Sequence, residues 1–64
     1  MTTHEQILAA IATYTDENEK FEGKGVAAAA ARARAALGDL GKLSKLRRAE
    51  IQETKNQRKA EKGA

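Results

Sequence analysis

The strongest helix-breaking signal in this 64-residue chain is the segment Glu22-Gly23-Lys24-Gly25. Proline is absent, and most other positions hold strong helix formers such as alanine, leucine, glutamate, lysine and arginine. Two glycines that bracket a lysine supply the left-handed cap and the tight turn that end a helix. We therefore predict an all-α fold in which a short first helix and a long second helix form an antiparallel hairpin.

The predicted single domain consists of a helix over residues 3–21, a turn over residues 22–25 and a helix over residues 26–61. Thr2 and Glu5 have the spacing of a capping box at the start of the first helix. That helix is amphipathic, because five of its residues share one stripe at helical spacing: Ile7, Leu8, Ile11, Tyr14 and Thr15.

The second helix has an apolar stripe that the first helix is expected to cover. Only Gly38 and Gly41 oppose its continuity, and each costs about 1 kcal/mol relative to alanine. The stripe consists of Val26, Ala29, Ala33, Leu37, Leu40, Leu43 and Ile51, with Ala30 and Ala36 at its edges. A turn over residues 37–41 is the alternative, and it would give three helices and a helix-turn-helix.

The two helices differ in length, roughly 28 Å against roughly 54 Å at about 1.5 Å per residue. The first helix should therefore end opposite Ser44, and residues 45–62 should project beyond it. A chain this short buries little apolar surface on its own. We expect a homo-oligomer, first a dimer with a four-helix or coiled-coil arrangement, whose interface is formed by Leu37, Leu40, Leu43, Leu46 and Ile51.

The charges of the chain are segregated along the sequence. Residues 1–23 carry five carboxylates against Lys20 alone, whereas residues 24–64 carry eleven lysines and arginines against four carboxylates. A basic half of this kind is available to an acidic partner. Small residues separate Arg34, Lys42 and Lys45 on the side opposite the apolar stripe, so the helix backbone could lie close to phosphates.

Binding of this kind neutralises phosphates, so it should be steeply salt-dependent and tolerant of sequence. Both aromatic residues, Tyr14 and Phe21, belong to the first helix, which disfavours base stacking on the basic half. The alternative partner class is a protein bound by a helical coiled-coil module. In that case Arg47 and Arg48 would be paired with carboxylates.

Catalysis is not expected from this sequence. It has no cysteine, His4 is its only histidine, and its glycines match neither the phosphate-loop nor the dinucleotide pattern. We therefore expect no enzyme activity, metal, cofactor or small-molecule substrate. No apolar run approaches the roughly 18 residues that span a bilayer, so we expect a cytoplasmic protein without a membrane partner.

From Lys24 to Asn56 the sequence is KGVAAAAARARAALGDLGKLSKLRRAEIQETKN, which resembles the chlamydial-type, linker-histone-like family of bacterial proteins. The shared features are a lysine-glycine turn, an alanine-rich stretch, an Arg-x-Arg pair, leucines at helical spacing and an Arg-x-Glu-Ile ending. The resemblance is to a short form that lacks the long basic tail. The matching positions are Lys24, Gly25, Ala28, Ala29, Arg32, Arg34, Leu37, Leu40, Lys42, Leu43, Arg48, Glu50 and Ile51.

The resemblance implies a helical, nucleoid-associated protein that compacts double-stranded DNA with little sequence preference. Together with the charge pattern it predicts a set of phosphate-binding residues on the second helix. These are Arg32, Arg34, Lys42, Lys45, Arg48, Lys55, Arg58 and Lys59.

Overall fold

The computed structural model describes the backbone of residues 1–63 and the side chains of residues 1–59. Two helices, α1 (Thr3–Lys24) and α2 (Ala27–Gly63), pack against each other as a hairpin. The hairpin is a narrow rod that measures 58 × 17 × 14 Å. The predicted all-α hairpin is confirmed. None of the described helices is both long and apolar enough to cross a membrane.

The start of α1 is fixed by the predicted capping box. The Thr2 hydroxyl accepts a hydrogen bond from the Glu5 amide at 3.1 Å, and the Thr2 amide donates to Glu5 Oε1 at 3.0 Å. Both bonds satisfy amides that the helix itself leaves without partners. The hydrogen bond from the Thr2 amide to the Glu5 carboxylate also lowers the pKa of Glu5, because it favours the charged form.

The turn between the helices is shorter than predicted. Helix α1 continues through Gly23 to Lys24, and only Gly25 adopts the left-handed conformation, with φ 69° and ψ 25°. The amides of Gly25 and Val26 both donate to the Lys20 carbonyl, which closes the last turn of α1. The predicted end at residue 21 and the four-residue turn are therefore wrong, because one left-handed glycine suffices to reverse the chain.

The seam between the helices follows a repeat of alternating three- and four-residue steps. A repeat of this kind keeps one narrow row of side chains against the partner helix. The buried and half-buried residues in these rows are Thr3, Ile7, Ala10, Tyr14 and Glu17 of α1 and Ala29, Ala33, Ala36, Leu40, Leu43, Arg47 and Glu50 of α2. The apolar centre of the seam is made of alanines, so the two helix axes lie close together.

The predicted stripes overlap this seam but do not coincide with it. Ala36, predicted at the edge, is buried in the seam, whereas Leu37 and Ile51 remain half exposed beside it. On α1, Ile7 and Tyr14 face α2, while Leu8 and Ile11 lie outside the contact. The predicted stripes were broader than the seam, because alanine side chains bring the helices together along a narrower strip.

Helix α1 reaches further along α2 than expected. The Thr3 hydroxyl donates to Glu50 Oε2 at 2.5 Å, so α1 covers α2 as far as Glu50 rather than Ser44. The longer α1 and the shorter turn explain the difference. The segment of α2 that projects beyond α1 therefore comprises residues 51–63, and the prediction that it begins at residue 45 is wrong.

Helix α2 is continuous through Gly38 and Gly41, so the helix-turn-helix alternative is wrong. Neither glycine has a left-handed backbone, and a Cβ atom built on either would meet nothing within 4 Å. The helical neighbours on both sides and the packing against α1 hold the segment in the helix. Neither glycine is required by packing within the chain.

We expect Gly38→Ala to raise the free energy of unfolding by about 1 kcal/mol, because alanine loses less backbone entropy in a helix. Denaturant unfolding followed by circular dichroism measures this change. Gly25→Ala is the matched control and should lower stability, because Gly25 has a positive φ. A loss of stability in Gly38→Ala would contradict a continuous helix at this position.

Candidate nucleic-acid interface

Six of the eight predicted phosphate-binding residues project from the side of α2 that faces away from α1. We call them the cation face: Arg34, Lys42, Lys45, Arg48, Lys55 and Lys59. All six are exposed. From Arg34 to Lys59 the face extends over about 38 Å, at about 1.5 Å per residue.

Among the described side chains, no carboxylate lies on the cation face. Glu50 belongs to the seam, and by helical spacing Asp39 and Glu53 lie on one flank of the hairpin. Asp39 is the carboxylate next to Lys42, with which it lines a shallow groove beside α1. Lysines and arginines that share a face without opposite charges add their fields, so this face has a strongly positive potential.

Small residues separate the cations on this face. Ala31, Ala35, Gly38 and Gly41 are all exposed there, and space is open around both glycines. A polyanion could therefore approach the helix backbone between the cationic side chains.

Arg32 lies apart from the cation face, on the flank of the hairpin. Its Nε donates to Glu17 Oε2 at 2.8 Å, and Lys20 Nζ lies 3.7 Å from the other oxygen of the same carboxylate. Glu17 is 8% exposed, so this ion pair is the main polar link between the helices near the turn. Lys20 also contacts Asp16 at 3.0 Å, which raises the pKa of Lys20.

The two neighbouring arginines of α2 have different surroundings. Arg47 lies in the seam, and its Nη1 donates to Glu50 Oε1 at 3.2 Å. Arg48 projects from the cation face and makes no ion pair with any described side chain. If the protein were instead a coiled-coil interaction module, both Arg47 and Arg48 would be expected to form ion pairs with carboxylates. Arg58 is exposed and lies at the edge of the cation face by helical spacing.

The five residues predicted as an oligomer interface do not form one patch. Leu40 and Leu43 are half-buried in the seam against α1. Leu37 and Ile51 lie on one flank of the hairpin, and helical spacing places Leu46 on the other. The structure therefore divides the predicted interface among three surfaces.

The outer surface of α1 has the opposite charge. Glu5, Asp16, Glu19 and Glu22 are exposed, and they lie away from α2 by helical spacing. The hairpin therefore has a basic side and an acidic side. In the sequence, the acidic residues precede the basic ones. Only the packing of α1 against α2 places these charges on opposite sides of the rod.

Comparison with known proteins identifies the family. The family model described as "Histone H1-like protein Hc1" matches residues 1–57, which includes α1, the turn and nearly all of the cation face. Searches of curated proteins and of solved structures each find no match. The resemblance to a histone-like family is thereby confirmed. The chain belongs to the Hc1 family of histone H1-like proteins, which indicates a DNA-binding nucleoid protein.

Proposed function

We propose that this protein binds double-stranded DNA through its phosphates, with little sequence preference, and compacts the nucleoid as an oligomer. The proposal is based on the cation face. This helix surface is about 38 Å long, and none of the described carboxylates lies on it. Its length corresponds to about one turn of B-DNA, for which the repeat is about 34–36 Å.

The contacts are electrostatic, and each cation has the same role. Lysine and arginine side chains neutralise phosphates and release the counterions condensed on the duplex. Such contacts set position and affinity but carry no sequence information. We therefore expect the protein to act by binding and not by catalysis, and to work in the nucleoid without a cofactor.

We expect a steep dependence of DNA binding on salt. Six phosphate contacts predict a slope of log K against log[salt] of about −5, and a loss of affinity of about a thousandfold between about 50 mM and 200 mM salt. Mobility shift of a random-sequence duplex across this range measures both quantities. A second duplex of different sequence serves as the control and should bind with an affinity within about threefold.

Absence of binding at about 50 mM salt, where phosphate contacts are strong, would refute the proposed function. A preference of more than about a hundredfold for one duplex would also refute it, because phosphate contacts do not distinguish bases.

A further inference from the structure

The last part of the cation face lies on a stretch of helix that α1 does not cover. We call residues 51–59 of α2 the overhang. All of these side chains are exposed, whereas Arg47 and Glu50, just before them, are half-buried against α1. The overhang contributes Lys55 and Lys59 to the cation face and Arg58 to its edge. The positions of these three cations therefore depend on a single helix without a neighbour.

The seam row of α2 continues onto the overhang without a partner helix. Thr54 follows Arg47 in this row, because residues seven apart return to the same side of a helix with a 3.5-residue repeat. A shallow open groove lies there, lined by Arg47, Ile51, Thr54, Lys55 and Arg58. Ile51 remains 52% exposed beside this groove. Packing of one face against a neighbour is the main source of helix stability in proteins, and the overhang lacks it.

Local interactions within the overhang are few, and some are unfavourable. Its one described side-chain hydrogen bond runs from Gln52 Nε2 to Asn56 Oδ1 at 3.1 Å, and none of the described ion pairs lies within it. Lys55 precedes Arg58 by three residues and Lys59 by four, so like charges are neighbours on the helix surface and repel one another. The overhang is helical, but its own side chains contribute little to keeping it so.

We propose that the overhang is an adaptable arm of the DNA-binding surface, whose helix is marginal in the free protein and becomes stable when its cations contact phosphates. This inference rests on the proposed function. Phosphates beside Lys55, Arg58 and Lys59 cancel the repulsion among them. In a helix the three side chains lie within an arc of about 100°. The helical form therefore presents them together to the phosphates, and an uncoiled segment does not.

The cation face then consists of two parts with different properties. The part that α1 covers, from Arg34 to Arg48, is helical before DNA arrives and binds without a cost of ordering. The overhang must be ordered when it binds, which reduces its net contribution to affinity. Helix formation and DNA binding are linked, so a change that stabilises the helix of the overhang tightens DNA binding, and DNA stabilises that helix in return.

Amide hydrogen exchange measured by NMR tests the arm directly. In the free protein, the amides of residues 55–59 should exchange at least about tenfold faster than those of residues 40–48, which α1 covers. A saturating random-sequence duplex at about 50 mM salt should slow exchange of the overhang amides by about tenfold. Equal exchange rates in the two segments of the free protein, or no slowing on the duplex, would overturn the proposal.

The pair Thr54→Ala and Thr54→Gly tests the linkage without any change of charge. Thr54 is exposed, lies in the seam row away from the cation face, and follows the stretch that α1 covers, so neither variant should unfold the hairpin. Alanine and glycine differ by about fivefold in helix population at one position. The alanine variant should therefore bind duplex DNA about threefold to fivefold more tightly than the glycine variant in a fluorescence anisotropy titration.

Ser44→Ala and Ser44→Gly are the matched control for this pair. Ser44 is exposed and lies off the cation face, but it belongs to the stretch that α1 covers. The helix is formed there with or without DNA, so these two variants should differ in the free energy of unfolding and bind DNA within about twofold of each other. Equal affinities of the two Thr54 variants, or an equally large difference between the two Ser44 variants, would overturn the proposal.

The coupling and the proposed function can fail separately. Absence of duplex binding by the wild type at about 50 mM salt would refute both. Duplex binding with the expected salt dependence, but with unchanged exchange of the overhang amides, would overturn the coupling alone and leave DNA binding supported.

Discussion

Replacing Lys42, Lys45 and Arg48 together with glutamine is expected to weaken duplex binding about a hundredfold at about 150 mM salt. These three residues form the centre of the cation face. Loss of three phosphate contacts, at about 0.9 each, should also reduce the magnitude of the salt slope by about 2.7, which is roughly half of the slope of about −5 expected for six contacts. Mobility shift across a salt series gives both numbers for the variant and the wild type.

Two controls distinguish the contribution of the cation face to DNA binding from that of the total charge of the protein. Exchanging lysine and arginine at these three positions keeps the charges and should keep the salt slope. Lys24→Gln removes one charge at the turn, away from the face, and should leave affinity within about threefold. If the triple glutamine variant bound as tightly as the wild type, the assignment of the cation face would be wrong.

Glu17→Ala is expected to lower the free energy of unfolding by about 2 kcal/mol, because hydrogen bonds to charged groups contribute about 1.5–3 kcal/mol. The substitution removes the acceptor for Arg32 Nε and leaves Arg32 near Lys20 without the shared carboxylate. In a fold with an alanine core, this change would unfold a large part of the population. Thermal and denaturant unfolding followed by circular dichroism measure the effect.

Asp16→Ala is the matched control for Glu17→Ala, because it removes a neighbouring carboxylate that also contacts Lys20. The Asp16 side chain is 64% exposed, against 11% for Glu17, and exposed ion pairs contribute little to stability. Similar losses in the two variants would show that total charge, and not the link between the helices, determines stability.

Several features of the fold follow from local sequence. The capping box at Thr2 and Glu5 and the reversal near Gly25 were predictable, because each depends on residues close together in the chain. Helix formers on both sides of Gly38 and Gly41 indicated a continuous second helix, which the structure has. The place where α1 ends within the glycine segment was not predictable, since either glycine could have adopted the left-handed conformation.

The division of the leucines among three surfaces required the tertiary structure. A stripe drawn at 3.6 residues per turn includes Leu37, Leu40 and Leu43 equally. The seam follows a 3.5-residue repeat, which keeps Leu40 and Leu43 inside and leaves Leu37 outside. The separation of Arg32 from the cation face has a similar cause, because its partner Glu17 is fifteen residues away in the sequence.

The sequence by itself determined that this protein is a helical hairpin with a basic second helix, because helix propensity, caps and net charge depend on residue type and near neighbours. Only the tertiary structure decided which cations lie on one open face and which are bound to carboxylates. That choice depends on the register between the helices, which the seam of alanines and the contacts of Glu17 and Glu50 hold in place. The broad basic half therefore becomes a defined surface of six cations.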